Sequence, residues 1–284
     1  MENRKNYYAS IKPVLFTIVF EVKKQKRKFY FFFGITILIA FLVGYVLMLI
    51  PNNLLPDSQL EFFISGLGNM FFITLLSACL FFSGIICSEF DKKTGSIIFP
   101  KINKYKLILG KYFGNLILVV AIITIYYLLL ALLGFYYYGG PINTLLFSSY
   151  TIAILYVIAL SSFVTFFSSF MRSVIVTIIV TFLILLLGFN LADGIVVLVF
   201  ADKFEPLYSL QYLGKLVTGI LNNPFPDPRY VEFTFGGEGG VFGGREFTIG
   251  SWITPSIVMG ITLLLIYIIG FFILASILFK RRQL

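Results

Sequence analysis

The chain has no histidine, only two cysteines and one tryptophan, and just 12% of its 284 residues are charged. Without histidine there is no imidazole base, no Ser-His-Asp triad and no HExxH zinc site, so the commonest hydrolytic and zinc chemistries fall together. The two cysteines, Cys79 and Cys87, share one apolar run. On a helix their Cα atoms stand roughly 12 Å apart, beyond disulfide reach, and both are expected to be buried small hydrophobes. A soluble domain carries about a quarter of its residues charged; this chain lacks the polar residues to cover a surface facing water.

What fills the chain is apolar: 59% hydrophobic residues and 18% aromatics, with a mean hydropathy of +0.96. That composition predicts an all-α integral membrane protein, packed as a single domain over residues 1–284. Apolar runs long enough to cross a bilayer predict six transmembrane helices at 29–50, 62–87, 112–138, 144–170, 173–192 and 253–279. No charge falls between these assigned ends, which counts against an ion-coupled carrier with carboxylates at mid-membrane.

Orientation follows from lysine and arginine. Of the 22 basic residues, 18 lie before the first run, within 88–111, at Arg172 or at 280–282, and four lie in the long segment 193–252. By the positive-inside rule the chain is expected in the cell membrane with both termini cytoplasmic. The same reading accounts for the formal charge of +9 without nucleic acid.

Three further segments carry pattern. Residues 13–28, PVLFTIVFEVKKQKRK, are too short to span. They place Thr17, Glu21, Lys24 and Lys28 on one helical stripe and Leu15, Ile18, Val19 and Val22 on the other, which predicts an interfacial helix with its lysines toward anionic headgroups. In 193–252, Gln211, Lys215, Thr218 and Asn222 oppose Leu210, Leu213, Val217 and Ile220, as in an extracellular amphipathic helix resting on the leaflet or capping the bundle. The glycines of GGEGGVFGG lack the Lys-Ser/Thr of a phosphate-binding loop and read as a surface loop or short hairpin. Serine and threonine inside the runs read as helix-packing and back-bonding residues. Asn69, beside Gly66 and Gly68, and Asn190, interrupting the fifth run, are the candidates for lining a pathway.

The segment 88–111, SEFDKKTGSIIFPKINKYKLILGK, is the densest patch of charge between two runs. Ser88 with Asp91 resembles a capping box for a short helix, with Glu89 in its first turn and Gly95 placed to end it. Ile98, Ile102, Tyr105 and Leu109 then share one helical face, and Lys101, Lys104 and Lys111 the other. An apolar ridge beside charges suits a docking surface for another protein.

The same segment resembles the loop between the second and third helices of ABC-2 type permeases, the membrane subunits of one class of ABC transporters. Glu89, Gly95, Pro100 and the pair Gly110 and Lys111 match the family's acidic residue, glycine step, proline and Gly-Lys. Where the family often has a second proline and an arginine, this chain has Ile102 and Lys104. The resemblance implies a coupling helix that docks on separate cytoplasmic ATPase subunits, with Glu89, Phe90, Gly95, Ile98, Phe99, Pro100, Lys104 and Lys111 as its contact set. It also implies pairing with a second permease chain, as homodimer or heterodimer. No cofactor would sit on this chain, because ATP and Mg would be bound by the partner ATPase; the membrane lipid is the other partner. An exporter of a peptide, lipid-like or amphiphilic substrate is then expected, with no enzyme activity of its own. A membrane anchor or sensor whose outer loop binds a ligand or partner stands as the alternative.

Overall fold

The computed structural model describes residues 2–49, 56–91, 103–200, 204–235 and 247–281, with side chains over slightly narrower ranges. The predicted coupling residues Gly95, Ile98, Phe99 and Pro100, the glycine run at 236–244 and the last residues of the chain lie outside the described residues.

In chain order the elements are α1 (Glu2–Lys24), α2 (Lys26–Leu49), α3 (Gln59–Phe82), α4 (Gly84–Asp91), α5 (Lys104–Tyr138), α6 (Leu145–Phe170) and α7 (Val174–Leu183). A π turn, Ile184–Gly188, leads into α8 (Phe189–Phe200). Two short helices, α9 (Leu210–Gly214) and α10 (Leu216–Gly219), precede a hairpin of β1 (Tyr230–Phe235) and β2 (Phe247–Trp252), and α11 (Ile257–Arg281) closes the fold. Six helical segments are long and apolar enough to cross a membrane, consistent with an all-α multi-pass membrane protein.

The helices sort by burial. The α3–α4 and α6 spans have 72% and 67% of their most apolar stretch buried, whereas α2, α7–α8 and α11 have 22%, 17% and 11%. Two helices thus form the centre, and the outer ones present leucine, isoleucine and phenylalanine outward, as helices facing lipid do. α11 lies along α6, and α5 is packed by α1, α2, α3 and α6.

The segment 207–222 caps one end of this bundle as two short helices rather than one. Leu210, Leu213, Leu216 and Leu221 are fully buried. Ser149 of α6 donates to Val217 O at 2.7 Å, fixing the cap to the bundle. The fifth span does not stop near Ala192. It runs on through Asn190 and Asp193 to Phe200, its ladder widened by the π turn. The hairpin is antiparallel, with Tyr230 opposite Trp252 and Phe235 opposite Phe247.

α1 differs from expectation in both extent and face. It begins at Glu2, so Pro13 sits inside the helix, where Thr17 Oγ1 donates to Pro13 O at 2.8 Å. Thr17, Glu21 and Gln25 are buried against α5, while Leu15, Phe16, Val19 and Phe20 point away from the protein. Of the polar stripe, Thr17 and Glu21 therefore face the bundle while Lys24 and Lys28 stay exposed, and Leu15 and Val19 of the apolar stripe are left for lipid. Two glycines one turn apart permit this approach. A Cβ at Gly110 would lie 2.6 Å from Thr17 Cβ and 3.1 Å from Val14 O, and one at Gly114 would lie 3.0 Å from Glu21 Cβ and 3.1 Å from Ile18 O. This is the small-xxx-small contact by which membrane helices bring their backbones together.

Gly110→Val should accordingly lift α1 from α5, at the cost of about 1–3 kcal/mol usual for overpacking. Limited trypsinolysis checks it: cleavage among Lys23, Lys24, Lys26, Arg27 and Lys28 should accelerate, while cleavage elsewhere keeps its rate.

Candidate functional site

α4 and α5 flank residues 92–102, and each is placed by a specific polar contact. α3 and α4 form one long helix broken at Ser83, and the break has a side-chain cause. Ser168 of α6 inserts its hydroxyl there, accepting from the N–H groups of Ile86 and Cys87, both at 3.1 Å, and donating to Ser83 O at 2.6 Å. A hydroxyl has one donor and two acceptor sites, so Ser168 is fully used. A side chain inserted into the helical ladder is a recognised cause of kinks. Beyond the kink, Ser88 is not an N-cap: its hydroxyl back-bonds to Gly84 O inside α4. Glu89 and Asp91 are thus at the C-terminal end of a helix, not at the start of one.

α4 delivers Glu89 to Lys111, eight residues into α5. The two form an ion pair, with Lys111 4% exposed and Glu89 6% exposed. Lys111 Nζ also donates to Ile85 O at 3.2 Å. Glu21 of α1, 2% exposed, is close enough to attract the same ammonium. Glu21 is itself held by Gln25 Nε2 at 3.1 Å and Lys24 Nζ at 3.2 Å. Two carboxylates and two ammonium groups thus balance where α1, α4 and α5 meet. Phe90 meets Phe279 edge-on at 6.2 Å between ring centroids, and Lys104 Nζ lies 5.5 Å from the centroid of the same ring. Both stems therefore grip the end of α11.

Of the expected contact set, Glu89, Phe90, Lys104 and Lys111 converge at this base. Glu89 and Lys111 are enclosed by their own chain and act on the loop they brace. Tyr105, on the expected apolar ridge, is 44% exposed and Leu109 is half-buried. Glu21 was missed because its stripe read as headgroup-facing; the glycine pair Gly110 and Gly114 is the signal that would have turned it inward.

At the end of the bundle opposite the α4–α5 junction, α3, α6, α8, α9 and α10 line a cavity of about 260 Å³. Asn190 lines it, with Asp193, Gln211, Lys215, Thr218, Thr74 and Tyr156. Asn69 is exposed on α3 and does not line this cavity. Ser209 donates to Asp193 Oδ2 at 2.7 Å. Burial, then the neighbouring Asp193 carboxylate, push the Tyr208 hydroxyl up to about 12, so it remains protonated at neutral pH. Burial draws Lys215 below the ordinary lysine value, against the pull of Asp193. The charges that interrupt the apolar helices, Glu89, Lys111 and Asp193, all fall toward the ends of their spans.

No protein-family model and no curated protein matches this chain. The two sites are therefore read from their own geometry.

Removing one member of the buried pair strands the other. Glu89→Gln or Lys111→Met should each cost about 3–5 kcal/mol, and the double substitution should recover most of the loss. The two cysteines are fully buried and not disulfide-bonded, so the temperature at which they react with a thiol fluorophore reports unfolding. Both single variants should react well below the parent, with the double variant between them.

Proposed function

We propose that this chain is the permease subunit of an ATP-driven transporter of the ABC-2 type, exporting a peptide, lipid-like or amphiphilic substrate. The observation that carries the reading is the mounting of the 92–103 loop. Its stems are closed by the buried Glu89–Lys111 pair and braced on Glu21 of α1 and Phe279 of α11. A loop held only by exposed side chains would absorb a push locally. A loop whose base is a packed, charge-balanced joint among α1, α4, α5 and α11 passes it to four helices. Closure of an ATPase can bias a two-state bundle only through such a contact.

In this reading the loop is cytoplasmic with both termini, following the distribution of lysine and arginine. Cytoplasmic ATPase subunits bind ATP and Mg and dock on Gly95, Ile98, Phe99 and Pro100, and a second permease chain completes the pathway. The second reading, a membrane anchor or sensor, is favoured by the cavity under the α9–α10 cap, which would serve ligand sensing as well as passage.

Purification of the tagged chain from its native membranes separates the two. An ABC-type ATPase should co-purify, and Ile98→Asp should reduce its recovery at least tenfold while the permease keeps its elution volume. Recovery of a stable chain with no ATPase, with or without nucleotide, favours the sensor.

A further inference from the structure

We propose that the turn of helix where α1 passes into α2 is a binding site for the phosphate of an anionic phospholipid. The two helices form one stem there. Gln25 N donates to Glu21 O and Phe29 N to Gln25 O, both at 3.0 Å, so the helical ladder crosses the break at Gln25. Helical spacing therefore carries over from one helix to the other. At that spacing Phe16, Phe20, Lys23, Arg27 and Tyr30 fall on one stripe, and all five are exposed. Two cations one turn apart thus interrupt a line of aromatic rings, with the exposed Lys26 beside them.

The other basic side chains of this turn are used by the chain itself. Lys24 pairs with Glu21 at 3.2 Å and Lys28 donates to Leu80 O at 3.0 Å. Lys23, Lys26 and Arg27 have no carboxylate, carbonyl or aromatic partner among the described residues. Glu21 and Glu89, the buried carboxylates nearest to them, are already neutralised by Lys24 and Lys111. Residues four apart on a helix have Cβ atoms about 5–6 Å apart, so Lys23 and Arg27 can hold one phosphate between them. The guanidinium offers it two parallel donors and the ammonium a point charge.

The rest of the stripe says what carries the phosphate. Tyr30 and Phe31, both exposed, open the first apolar span, Lys26–Tyr45. One turn further along the same stripe is Gly34, where a side chain would meet open space, and beyond it Leu38 and Phe41 are exposed. A phosphate at Lys23 and Arg27 therefore sits where the span leaves the hydrocarbon, with an apolar track for an acyl chain leading away from it. An acidic peptide arriving from water would have no use for that track. A zwitterionic lipid brings a cation of its own, so the uncompensated basic groups favour a headgroup of net negative charge. The inference is independent of the transport reading, since it concerns only the surface of the isolated chain.

The test is native mass spectrometry of the full-length protein in a neutral detergent, titrated with dioleoyl phosphatidylglycerol or dioleoyl phosphatidylcholine. Half-saturation with one lipid per chain should need roughly fivefold less of the anionic lipid, or better. Lys23→Gln combined with Arg27→Gln should bring the two lipids to within about twofold of each other. Lys280→Gln combined with Arg281→Gln makes the same change of charge at an equally exposed pair, and should leave the preference intact. Glycerol 3-phosphate, the headgroup chemistry without acyl chains, should not displace the bound lipid. Equal binding of the two lipids, an undiminished preference in the Lys23 and Arg27 variant, the same loss in the Lys280 and Arg281 variant, or displacement by glycerol 3-phosphate overturns the proposal. The comparison of lipids on the parent protein decides the matter even if a variant fails to fold.

Discussion

A hydrogen-bonding group inside an apolar bundle must find its partner within the protein, and most of this architecture depends on how that requirement is met. The simplest solution is local. Thr36, Thr165, Thr262 and Ser276 each donate to the carbonyl four residues earlier, adding nothing to tertiary structure. The informative groups are those that reach across. Tyr112 meets Ser161 and Ser162 at 2.7 and 3.0 Å, locking α5 to α6. Tyr126 donates to Gly66 O at 2.5 Å, locking α5 to α3. Ser168 goes further and takes over backbone groups of another helix at the junction of α3 and α4. Thr177 and Thr181, one turn apart on α7, stand 3.6 Å from the sulfurs of Cys87 and Cys79. The two cysteines thus serve as the soft, buried counterpart of a helix interface rather than as redox groups.

The same requirement places charge at two opposite ends of the bundle and treats it differently. At the loop end, Glu21, Lys24, Glu89 and Lys111 neutralise one another, and the aromatic ring of Phe279 takes up Lys104. Such a joint is rigid, because moving any member exposes another's charge to a poor solvent. At the cap end Asp193 accepts from Ser209 and stands beside the Tyr208 hydroxyl and Lys215, which itself donates to Trp252 O. The two ends are joined through the central α3–α4 and α6 spans, the most buried in the fold.

Much of this was legible in the chain itself. Length and apolarity of the runs predicted six spans, and each is met by a helix, the third beginning eight residues earlier and the fifth ending eight residues later than expected. The hairpin between the last two spans, the buried unbridged cysteines and the back-bonding serines and threonines also follow from residue type and spacing. The errors share one cause. Ser88 with Asp91 looked like a helix start because the motif is local, yet the preceding helix continues through it once Ser168 supplies the missing partners. Glu21 falls on the stripe expected to face headgroups and Lys111 in the set expected to contact an ATPase, because a charge in an apolar chain is expected at its surface.

What the sequence by itself determined is therefore the number, length and order of the helices, since a bilayer's thickness and the self-sufficiency of helical hydrogen bonding depend on the chain alone. What only the tertiary structure decided is which polar groups face each other. The pairing of Glu89 with Lys111, the inward turn of Thr17 and Glu21 allowed by Gly110 and Gly114, and the meeting of Thr74, Asp193 and Gln211 around one cavity join residues from separate helices. Periodicity assigns a residue to a face of its own helix, but the energy of a buried charge or an unpaired oxygen depends on which other helix packs against that face.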